Sequence, residues 1–145
     1  MSDERISSIG PASPRRAAGL AGALTLLVTP LAFVAWGIVS SELISGATPL
    51  VTKVVAPSGV VVLLAVGAGG LTAAVRRRVT AELMERLAGA GGAVCVGATA
   101  VCNYWGIDGG SAFWSVFIGV IVGGGLWFVP GALFVTAASR ARRAL

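Results

Sequence analysis

Side chains able to do chemistry are sparse in this chain. Glu42, Lys53, Asn103 and Asp108 fall at the ends of long apolar stretches. Gathered at one mouth of a membrane bundle, they could hold a cation or a polar headgroup; spread along an interface, they would simply meet water. The sequence contains no histidine, so imidazole ligation of haem and His-based zinc or acid–base chemistry have no reagent. Cys95 and Cys102 are seven residues apart, which on a helix puts them on one face about 10 Å apart. A disulfide needs Cα atoms within about 7 Å, so the pair reads as two small buried side chains. A redox C-x-x-C pattern is missing. The glycine strings at Gly67 to Gly70 and from Gly89 lack the preceding strand and the following Lys-Ser/Thr of a phosphate loop. These residues assign no catalytic group, no metal and no cofactor, and the expectation is a protein without enzymatic activity.

The elements that must carry these residues are set by the solvent. At 145 residues, with 56% hydrophobic and 12% charged side chains, the chain is one domain of the membrane class. Four uncharged stretches, at about 17–39, 54–75, 87–107 and 111–138, are each long enough for a helix crossing a ~30 Å hydrocarbon core. The expected fold is therefore all-α, a polytopic bundle of four transmembrane helices covering 17–139. A flexible cytoplasmic tail (1–16) precedes it and a basic cytoplasmic tail (140–145) follows. Pro30 should kink the first helix, with Thr25 serving the backbone near the bend, and Pro57 should sit at the start of the second. Segment 40–56 reads as an outer loop hugging the interface or a short re-entrant piece.

Charge placement orients this bundle. Arg5, Arg15 and Arg16 precede the first stretch, Arg76, Arg77, Arg78 and Arg86 separate the second from the third, and Arg140, Arg142 and Arg143 follow the fourth. Lys and Arg beside membrane spans are retained in the cytoplasm, which places both termini inside. Trp36, Tyr104, Trp105 and Trp114 map to the opposite ends, where amphipathic rings prefer the headgroup level. The net charge of +5 is explained by orientation, so nucleic-acid binding is not implied. Abundant Ala, Gly and Val, with Arg in place of Lys, fit a GC-rich bacterial genome and hence a bacterial plasma membrane.

Small residues repeating every fourth position suggest how the helices meet. Ala65, Gly69 and Ala73 line one face of the second helix, Gly89, Ala93 and Gly97 one of the third, and Ser115, Gly119 and Gly123 one of the fourth. Such stripes let backbones approach closely where no hydrophobic drive exists between helices. They could pack inside one bundle, or the Gly119–Gly123 stripe could face a neighbouring subunit. The implied role is a small subunit or accessory of a larger membrane assembly, its partner another membrane protein or a second copy of itself. Its arginine clusters would contact partners and anionic lipid headgroups. The alternative is a homo-oligomeric channel, pore or small transporter.

Overall fold

In the computed structural model the described backbone covers residues 13–43, 50–106 and 111–144, with side chains described along it except at 33, 35–43, 50–54 and 105–106. Apolar segments in lipid must satisfy their backbone groups internally, and the chain does so with helices. These are α1 (Pro14–Leu43), α2 (Leu50–Val75), α3 (Ala81–Gly106), α4 (Ala112–Ile118) and α5 (Gly124–Arg143), the last two joined through a π-helical segment, Gly119–Gly123. α1 packs against α2 and α5, and α3 packs against α2 and the α4–α5 rod, so four rods close a ring.

Among the described residues the expectation of four transmembrane helices is corrected to three. Among the described residues, the helices long and apolar enough to cross a membrane are Val55–Val75, Ala81–Tyr104 and Ala112–Arg143. α1 is not one of them. Its continuously described side chains, 14–32, include Arg15, Arg16, Thr25, Thr29 and Pro30, too polar a run for that length. The molecule remains an all-α protein with several membrane-crossing helices.

Helix limits also differ from those read from sequence. α1 continues through Pro30 to Leu43, and α2 begins at Leu50, which leaves Pro57 inside α2. The described parts of segment 40–56, residues 40–43 and 50–56, are therefore helical; 44–49 lies outside the described residues. The connection after α2 turns sharply. Arg78 N–H donates to the Ala73 carbonyl at 2.9 Å and Arg77 N–H to the Ala74 carbonyl at 3.3 Å, the paired bonds of a Schellman ending. Arg77 takes the left-handed conformation there, φ 57°, where glycine is the usual occupant. Thr80 then caps α3, its hydroxyl accepting from Leu83 N–H at 3.2 Å.

Side-chain size is sorted the opposite way from a water-soluble core. Ala17, Ala18, Ala21, Ala137 and Ala138 are buried, whereas Phe128, Phe113, Val61 and Leu27 are 62–74% exposed. Large apolar groups directed outward and small ones inward suit lipid as solvent, because close helix approach, not burial of bulk, is what gains energy. Phe134 and Met84 are the largest fully buried side chains.

Candidate functional site: the basic end and the bundle interior

The three basic clusters, distant in sequence, meet at one end of the bundle. α1 runs antiparallel to α2, which brings Arg15 onto the C-terminal carbonyls of α2. Its Nε donates to the Ala74 oxygen at 2.5 Å and Nη2 to the Val75 oxygen at 3.5 Å. Helix C-termini carry partial negative charge, so this guanidinium both caps the carbonyls and complements the dipole. Arg142, in the last turn of α5, pairs with Glu85 in the first turns of α3. Glu82 and Arg86 pair along α3 at 2.5 Å, both exposed; the i, i+4 spacing anticipates this contact. Arg78 lies in the turn before α3 and does not extend that row. Arg16, Arg76, Arg77, Arg78 and Arg143 are exposed and form no ion pair among the described residues. Arg140 is half-buried. Arg5 lies outside the described residues.

Aromatic groups gather at the other end. Phe113, Trp114 and Phe117 form edge-to-face contacts with centroids 5.7 Å apart, and all three are exposed. Asn103 donates through Nδ2 to the Ser115 hydroxyl at 3.3 Å, tying α3 to α4 across a half-buried contact. Of the four residues considered for an outer polar site, Asn103 is thus bound to a neighbouring helix. The side chains of Glu42, Lys53 and Asp108 lie outside the described residues, as do those of Trp36 and Trp105.

Between the two ends the helices meet through small residues, though not always those expected. Ser115, Gly119 and Gly123 are buried. A Cβ on Gly119 would lie 2.6 Å from the Ala100 Cβ, and one on Gly123 2.5 Å from the Cys95 carbonyl oxygen, so this stripe lies against α3 of the same bundle. Along α2, Ala65 is exposed, Gly69 touches Leu87, and Ala73 is buried. The inward line runs one position later, through Val66, Gly70 and Ala74. Along α3, Gly89, Ala93 and Gly97 are exposed, and nothing lies within 4 Å of a Cβ at Gly89 or Gly97. Buried instead are Met84, Gly91, Cys95 and Cys102, at seven, four and seven residue steps. That spacing is the seam of helices crossing at shallow angles.

A further backbone-to-backbone approach, which the sequence reading missed, lies between α1 and α2. A Cβ on Gly22 would fall 2.5 Å from the Leu71 nitrogen and 2.6 Å from the Gly67 oxygen, so the backbones touch and no larger residue fits. Ala18 and Gly22, four apart on α1, carried the same signal as the other stripes.

Trp127 organises the interior. Its indole N–H donates to the Ala88 carbonyl at 3.0 Å, and its ring covers Gly91 and Gly92 of α3 and Gly131 of its own helix. Phe134 stacks on it with centroids 5.9 Å apart and an interplanar angle of 21°, and presses against Gly70 of α2. Trp and Phe on α5 thus occupy grooves that glycines leave open on α3 and α2. Beside Trp127, toward the aromatic end, lies a cavity of about 430 Å³ bordered by all four rods, with both cysteines on its wall. Thr25 and Thr29 also border it, but their hydroxyls donate to the Ala21 and Thr25 carbonyls at 2.7 and 2.6 Å. Their protons are spent on α1 itself.

Among the described residues no cluster of His, Cys, Asp or Glu could hold a metal ion. The arrangement offers close helix packing, a charged end and an apolar interior. Compared with known proteins, this chain matches no family model, no curated protein and no solved structure.

Proposed function

We propose that this chain is a non-enzymatic accessory or subunit of a larger assembly in a bacterial plasma membrane, with its basic end in the cytoplasm. The observation that carries this reading is the convergence of the arginines. Arg15 and Arg142 tie the end together, while Arg16, Arg76, Arg77, Arg78 and Arg143 stand exposed without carboxylate partners among the described residues. A surplus of exposed guanidinium groups at one level suits anionic headgroups, at about 1 kcal/mol per residue, or an acidic partner surface. Arg77 supports the reading further, since it keeps a side chain in a backbone conformation that glycine would occupy at lower cost.

The conducting alternative gains less from the geometry. Trp127 and Phe134 are buried and stacked between the rods, and among the described residues no charged side chain borders the cavity, so the described interior gives a hydrated path no polar support. Purification in mild detergent from native membranes tests the proposal. A defined stoichiometric complex that dissociates when Arg76, Arg77 and Arg78 are all replaced by Gln is expected. Isolation of wild type as a lone monomer, with no dependence of its thermal stability on anionic lipid, would count against it.

A further inference from the structure

The cavity beside Trp127 is used by neither the packing nor the basic end. Its volume of about 430 Å³ falls within the ~300–1,000 Å³ of ligand sites and is near three times the ~150 Å³ that admits benzene in an engineered core. Its walls are nearly free of hydrogen-bonding capacity. Thr25 and Thr29 already bond to backbone, leaving the Thr99 hydroxyl and the weakly polar thiols of Cys95 and Cys102. Water gains little there, since a buried water needs two to four polar partners. A charged or strongly polar ligand would be desolvated without compensation.

The cavity also has a route to lipid. Val122 and Leu126 border it and are themselves 46% and 42% exposed. Trp127, near the middle of the Ala112–Arg143 span, forms the floor. An opening at mid-membrane depth meets hydrocarbon, not headgroups.

We propose that this cavity is a binding site for one acyl chain of a membrane phospholipid, inserted laterally past Val122 and Leu126 until its end rests on the Trp127 indole. The chain supplies the dispersion contacts that the empty walls of Ala98, Val60 and Leu63 lack. It adds no polar group to the interior and lets the headgroup stay at the interface. The site is independent of whether the protein joins a larger assembly.

The test uses full-length protein with Trp36, Trp105 and Trp114 changed to Phe, so that Trp127 is the sole tryptophan, excited selectively over Tyr104 at the red edge of the absorption band. It is reconstituted in bilayers of phospholipid brominated near the terminal methyl of one chain, the end that would rest on Trp127. Trp127 is nine-tenths buried, and bromine quenches only near contact, so strong quenching is expected through an occupied cavity. Filling the cavity by Ala98→Phe, or independently by Val60→Phe, should abolish most of that quenching while helicity is retained. No quenching in the parent protein overturns the proposal, as does quenching that either folded variant leaves unchanged. Quenching by a free bromoalkane but not by the brominated phospholipid overturns it too, because the occupant would then not be a lipid chain.

Discussion

Phe134 and Phe128 are one residue type on one helix, and replacing each by Ala should separate the effects of packing and of solvent. Phe134 is fully buried between Trp127 and Gly70, whereas Phe128 is 74% exposed on the outer surface. In water both truncations would forfeit transfer energy. In a bilayer the separated helices are already solvated by hydrocarbon, so transfer largely cancels and the void that is left decides. A ring-sized void of roughly 100–150 Å³ at ~24 cal/mol per Å³ gives about 2.4–3.6 kcal/mol. Collapse offers little relief, because α1 and α2 already touch through backbone at Gly22 and Gly67. Phe128→Ala should change stability by about 0.5 kcal/mol or less. Denaturation with sodium dodecyl sulfate in mixed micelles, followed by circular dichroism, measures both. Equal losses at the two positions would refute the inside-out sorting on which this reasoning stands.

Further outcomes follow from local geometry. Arg77→Gly should raise stability by about 1 kcal/mol by relieving the left-handed backbone at φ 57°, while Arg77→Ala should give no such gain; thermal unfolding of the three proteins in detergent compares them. Gly123→Leu should disrupt folding, since its Cβ would meet the Cys95 carbonyl at 2.5 Å. Gly97→Ala, with open space around it, should gain about 0.5–1 kcal/mol of helix stability, read in the same assay; a loss there would mean that the exposed face of α3 is covered. Trp127→Phe removes the donor to the Ala88 carbonyl and should cost about 0.5–1.5 kcal/mol for the hydrogen bond alone, with more if the ring no longer covers Gly91 and Gly92.

What was legible in the sequence was what local properties decide. Runs without charge make helices wherever lipid is the solvent, and arginine clusters mark one end of those helices whatever their packing. The count of membrane-crossing helices was not legible: among the described residues it is three and not four, because the described part of α1 mixes its arginines, threonines and proline with the apolar run. Helix faces were legible only in part. On the α4–α5 rod the expected stripe is the buried one, since Val120, Ile121 and Val122 leave Gly119 and Gly123 as the small positions. On α3 every residue from Ala88 to Ala93 is Ala or Gly, and periodicity cannot choose among them. The choice is made by Trp127 on a different rod, which needs a bare backbone at Gly91. The cavity was illegible for the same reason: it exists where side chains from four rods fail to meet, and no single stretch of sequence records that.

The decisive measurement concerns the arginine-bearing end. In a protein lacking Cys95 and Cys102, single cysteines placed at Ser13, Arg78 and Ala144 can be challenged with a membrane-impermeant maleimide in intact cells and in inverted vesicles. With Arg15 bonded to the end of α2 and Arg142 paired with Glu85, all three sites should react only in inverted vesicles. Reaction of any one of them from the outside of intact cells would contradict a bundle whose basic clusters share one cytoplasmic face.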